Sequence, residues 1–258
     1  MNQDRTRQIA NLVAAIVTIG FNVLANALPL NGQTTGQISD RFPVYFVPAG
    51  YVFAIWFVIY IGFLAFAIYQ FLPAQRENLR LRRMGYLFVV ASLANIFWLF
   101  FWHYNLFVLS LVAMLVLLAS LIAVYLRLDI GRTPARGAEK WCVDIPFSVY
   151  LAWISVATFA NTADVLYYLG WNGGFLGAQA WAALMILVAA ALGAFLAFTR
   201  GDIPFVVVLI WSFVGIAVKQ AGVPLVAVTS WVMAGGLILI LIIIELTRQS
   251  RPAYQRSS

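Results

Sequence analysis

The chain has 258 residues, 64% of them apolar and only 10% charged, with a formal net charge of +7 and a mean hydropathy of +0.92. Too few polar residues are present to cover a water-soluble domain of this size, so composition predicts an all-α, polytopic transmembrane helix bundle in contact with membrane lipid. The single cysteine, Cys142, excludes an internal disulfide framework and a cysteine-based metal site.

Apolar stretches long enough to cross about 30 Å of hydrocarbon at about 1.5 Å per residue predict about eight helices. In chain order they fall at 7–28, 47–72, 84–102, 106–126, 144–169, 179–199, 203–219 and 223–246. The first is preceded by Arg5 and contains Arg7, and it ends in Ala25, Asn26 and Ala27, which imitates a cleavable signal peptide. Against cleavage, Asn11, Thr18, Asn22 and Asn26 recur at roughly helical spacing, which predicts a retained helix with one polar face inside a bundle.

The second stretch carries Phe53, Trp56 and Tyr60, and the third sets Asn95, Trp98 and Trp102 on one face at i, i+3, i+7. The fifth aligns Tyr150, Trp153, Ala157, Asn161 and Asp164 along a single stripe. The division between the last two rests on Gln220, Ala221, Gly222 and Pro224 and is decided by charge. With eight alternating helices, fourteen of the 16 basic residues lie on one side of the membrane, and only Arg41 and Lys219 on the other. The positive-inside rule predicts that the basic side is cytoplasmic, that both termini lie there, and that the chain is a multi-pass protein of the cell (plasma or inner) membrane. Basic loops beside anionic headgroups account for the net charge, so no nucleic-acid partner is expected.

Helix direction then puts Asn22, Trp56, Tyr60, Asn95, Trp98, Trp153 and Asn161 at one level in the outer half, beneath the loop 29–45. An amide in hydrocarbon costs free energy unless something pairs with it. Two readings stay open: aromatic packing with interhelical amide pairing, or a ligand pocket. No Ser, His and Asp arrangement is legible, His103 is the only histidine, and no metal-ligand cluster occurs, so no catalytic residue is assigned. The intramembrane ionisable candidates Asp164, Lys219 and Glu245 support a small-solute or porphyrin transporter as the alternative, and a structural subunit of a larger membrane complex is a third reading.

These segments resemble the TspO/MBR family, the tryptophan-rich sensory proteins that include the mitochondrial translocator protein. Pro48, Val52, Phe53, Trp56 and Tyr60 are similar to the family's second helix, Asn95, Trp98, Phe100 and Phe101 to its third, and Trp153, Ala157 and Asn161 to its fifth. The resemblance implies a pocket capped by the loop between the first two helices, binding a tetrapyrrole (porphyrin or haem type) or, in some members, a sterol. It also implies a homodimer, and light-driven porphyrin breakdown as an activity known in the family. The expected ligand-binding residues are Trp56, Tyr60, Asn95, Trp98, Trp153, Ala157, Asn161 and Asp164. Two departures carry structural expectations. Phe53 stands three residues before Trp56 instead of four, which calls for a local backbone adjustment. Pro146 stands seven residues before Trp153, which implies a longer inner half of that helix. The resemblance covers residues 1–170 as a five-helix core, leaving 171–248 as a three-helix transmembrane extension and 249–258 as a basic cytoplasmic tail.

Overall fold

The computed structural model describes residues 3–135 and 137–249. Apart from Gln249, the basic tail expected over 249–258 lies outside the described residues, as does Arg136. The described residues form helices and no strand. The first predicted stretch is α1 (Gln3–Ala27), and a short α2 (Thr35–Ser39) follows in the loop after it. A 3-10 turn at Gly50–Ala54 leads into α3 (Ile55–Tyr69), and a short α4 (Leu79–Met84) precedes α5 (Leu87–His103). The remaining stretches are α6 (Phe107–Arg127), α7 (Ile145–Tyr168), α8 (Gly177–Arg200), α9 (Ile203–Lys219) and α10 (Pro224–Gln249). Six of the apolar helical segments, of 20 to 29 residues, are long enough to cross a bilayer, and α5 and α9 are shorter apolar helices of 17 residues.

Local chemistry sets the breaks. Gly201 ends α8 in the left-handed region at φ +60°, the Asp202 side chain accepts from the Phe205 amide, and Pro204 sits in the first turn of α9. The α9–α10 division read from charge is a real turn, with Pro224 as the first residue of α10. The longer inner half expected from Pro146 takes the form of a π-helical turn at Lys140–Asp144 that runs into α7.

α7 is the central element. It packs against α3, α6, α8 and α9, and every side chain from Pro146 to Val156 is buried. α5 and α6 form one antiparallel hairpin and α9 and α10 another, while α1 lies against α3 and α5. The polar face of α1 turns inward as expected. Gln8 donates to the Gln70 carbonyl, Asn11 donates to the Gln70 side chain at 3.2 Å, and Asn22 donates to Asn95 Oδ1 at 2.7 Å. Its opposite face leaves Val13, Ile16, Val17, Val23 and Leu24 exposed, as lipid contact requires.

The bundle has two unlike ends. At the arginine-rich end, Arg82 meets Asp4 at 2.6 Å, Arg80 bridges Asp144 (2.9 Å) and Glu139 (3.0 Å), and Arg200 donates to the Ile130 carbonyl at 2.9 Å. At the other end, the chain from Leu28 to Ala54 crosses the mouth of the bundle between α1 and α3.

Candidate ligand-binding site

That crossing segment is built to stay closed. Thr34 and Gln37 form a reciprocal capping box that starts α2. From one side α5 holds it: the Trp102 indole donates to the Thr35 carbonyl at 3.2 Å, and Asn31 donates to the His103 carbonyl at 2.9 Å. From the other side α9 holds it. Lys219 pairs with Asp40 at 2.7 Å, the Ala49 amide donates to the Gly215 carbonyl at 3.1 Å, and the Trp211 indole donates to the Val52 carbonyl at 3.1 Å. Gly215 is required there, since a Cβ on it would lie 2.2 Å from Val52 Cγ2.

Beneath α2 lies a cavity of about 50 Å³. Its floor is one stripe of α7, from Trp153 through Val156, Ala157, Ala160 and Asn161 to Asp164, and its walls include Phe53, Trp56, Trp98 and Trp102. Thr35 and Ser39 roof it. The stripe covers about 16 Å of helix at about 1.5 Å per residue, and the alanines in it leave the space open. A second, wider cleft of about 470 Å³ opens between α1, α3 and α5, sharing Thr35, Phe53, Trp56 and Trp98 with the first and adding Tyr60 and Asn22.

The spacing of Phe53 and Trp56 is resolved by the 3-10 turn at Gly50–Ala54. With about three residues per turn, positions i and i+3 eclipse, so both rings reach α7. Phe53 lies 5.6 Å and Trp56 6.3 Å from the Trp153 ring centre, each edge to face. Trp56 also stacks on Tyr60 at 5.7 Å, and Trp98 on Trp102 at 6.2 Å.

Polar groups in the bundle divide into two sets. The Asn22–Asn95 bond and the Asn161–Ser110 pair (3.3 Å) join helices. Four residues that line the cavity each have a buried atom without a hydrogen-bond partner: Thr35 Oγ1, Trp98 Nε1, Trp153 Nε1 and Asp164 Oδ1. All four side chains are more than nine-tenths buried. Buried polar groups are normally satisfied, and of the eleven buried side-chain atoms without a hydrogen-bond partner among the described residues four belong to side chains around this one cavity.

Six of the eight residues read from the sequence line this cavity: Trp56, Trp98, Trp153, Ala157, Asn161 and Asp164. Tyr60 belongs to the adjoining cleft. Asn95 lines neither; it is wholly buried and accepts from Asn22, tying α5 to α1. Asn161 lines the cavity while its amide is engaged by Ser110. The roof residues Thr35 and Ser39 escaped sequence reading, although the Thr34-x-x-Gln37 capping box signals a helix there. Among the described residues no group of three His, Cys, Asp or Glu side chains could hold a metal ion.

A family model described as TSPO-like protein matches residues 8–244. The chain belongs to the TspO-like family. The match runs from α1 into α10 and so includes the three helices beyond residue 170, in keeping with the contacts that α9 makes to the roof of the cavity. No curated protein and no solved structure matches the chain. It is thus a multi-pass helical membrane protein of the TspO type.

Proposed function

We propose that the protein binds a hydrophobic, ring-bearing ligand of the tetrapyrrole or sterol type in the space formed by the cavity beneath α2 and the cleft that adjoins it, as a binding or sensory protein. The observation that carries this reading is the set of four unpartnered polar atoms around a space walled by four tryptophans. Flat rings stack on indole faces, and a few polar groups fix orientation inside a mostly apolar site. Family membership adds to the reading. In the same reading the arginine-rich end faces the cytoplasm, both termini lie there, and the roof faces the far side of the membrane.

The test is titration of the detergent-solubilised protein with protoporphyrin IX and with cholesterol, followed by tryptophan fluorescence for the first and by ligand-induced thermal shift for both. A saturable response to at least one, weakened about tenfold or more when Trp56 or Trp153 is replaced by Leu, is the expected outcome. A tenfold loss corresponds to about 1.4 kcal/mol, the scale of one aromatic contact with its burial. Unchanged affinity in both variants would remove the cavity from consideration.

A further inference from the structure

Asp164 is the one cavity-lining side chain that carries a formal charge, and it is 2% exposed. Its Oδ1 has no hydrogen-bond partner. An isolated carboxylate in a low-dielectric site is costly, and the cost is met by a neighbouring cation, by donors aimed at its oxygens or by a proton. Among the described residues no cation or donor bonds Asp164 Oδ1. The Lys219 ammonium, at the same end of the bundle, is held by Asp40 at 2.7 Å. The other cation at this end, Arg41, donates to Asn105 and lies 5.5 Å over the Phe107 ring. Asn161, one turn away on α7, spends its amide on Ser110. A single carboxylate does not make a metal site, so its complement is an organic group.

The rest of the wall points to the sign of that group. Trp56, Trp98, Trp102 and Trp153 all face the same space, and indole faces attract organic cations more strongly than any other side-chain ring. An aromatic enclosure with one unpaired carboxylate is complementary to a protonated amine, which brings a positive charge and donor hydrogens together. A carboxylate at that place would face like charge and leave Asp164 Oδ1 unpaired.

We infer that Asp164 makes the cavity favour, among ring-bearing ligands of similar shape, those that carry a protonated amine, the ring system packing among the tryptophans and the ammonium pairing with the Asp164 carboxylate. The inference rests on the reading that the cavity binds a ring-bearing ligand, and it adds the charge that the favoured ligand carries.

The test compares three probes of one ring system, 1-pyrenemethylamine, 1-pyrenemethanol and 1-pyrenecarboxylate, by saturable energy transfer from tryptophan in a neutral maltoside detergent. The expected order in the unmodified protein is amine, then alcohol, then carboxylate, with the amine bound at least about tenfold more tightly than the alcohol, the scale of one partly buried charge-assisted bond. In Asp164→Asn, which preserves shape, the amine-to-alcohol ratio falls below about threefold. Equal affinities for amine and alcohol in the unmodified protein overturn the inference while saturable binding of the alcohol keeps the ligand-binding reading. A ratio that survives in Asp164→Asn also overturns it. Absence of saturable binding for all three probes overturns both.

Discussion

Gln70 and Trp153 have buried polar atoms with opposite fates. Gln70 exchanges bonds with Gln8 and Asn11 on α1, whereas Trp153 lines the cavity and its indole nitrogen has no hydrogen-bond partner. Replacing each therefore separates structure from binding. Gln70→Leu orphans the Asn11 amide and removes the bond to the Gln8 carbonyl, while the Gln8 amide keeps the Gln70 backbone carbonyl; it is expected to lower stability by about 1–2 kcal/mol, the range for interhelical hydrogen bonds between membrane helices, while ligand affinity stays within about twofold, far less than the tenfold step that 1.4 kcal/mol represents. Trp153→Leu removes the edge-to-face contacts with Phe53 and Trp56 and reverses the balance, with affinity falling and stability less affected. Unfolding midpoints and ligand titrations on both variants check the pair. The sequence made Trp153 visible as an aromatic group in hydrocarbon but not Gln70, and periodicity gives only the face on which a side chain lies. It does not give the partner on another helix, so the bond from Asn22 on α1 to Asn95 Oδ1 on α5 is visible only in the structure.

At the scale of elements, long apolar helices are legible because burial and lipid contact both demand continuous hydrophobicity. The stretch 203–219 coincides with α9 (Ile203–Lys219). Short elements escape, since neither α2 nor α4 is long enough to establish a period. The Phe53–Trp56 spacing was legible as an anomaly, and only the backbone revealed its solution, a 3-10 turn that puts both rings on Trp153. α9 contributes most at this scale. Its Gly215 lets the chain at Pro48–Val52 approach closely, and the stiff Val52 side chain cannot rotate away from an added methyl. Gly215→Ala is expected to cost about 1–3 kcal/mol through overpacking and to loosen the roof. The measurements are the thermal midpoint and the ligand dissociation rate. An increase in the latter distinguishes a loosened roof from a uniformly weakened fold.

For the whole molecule, the distribution of charge carries the clearest prediction. The arginine-rich end is bound together by Arg80, Arg82 and Arg200, whereas the roof end carries Lys219 and Arg41. In a Cys142→Ser background, a cysteine introduced at exposed Gly222, in the α9–α10 turn, is expected to react with a membrane-impermeant maleimide in intact cells. The native Cys142, beside the arginine-rich end, is expected to react only after lysis. The reverse pattern would invert the orientation drawn from the positive-inside rule.

By itself the sequence determined the membrane class, the helical spans, the break between α9 and α10, the inward polar face of α1 and the α7 stripe from Trp153 to Asp164. These are consequences of local composition and of a 3.6-residue period, which any window of the chain contains. Tertiary structure alone decided which asparagines pair, that α9 straps the roof through Lys219–Asp40 and Trp211–Val52, 179 and 159 residues apart in the chain, and that Asp164 meets no cation. The reason is physical: a hydrogen bond or ion pair depends on distance in space, and contacts between distant segments leave no period in the sequence for a reader to find.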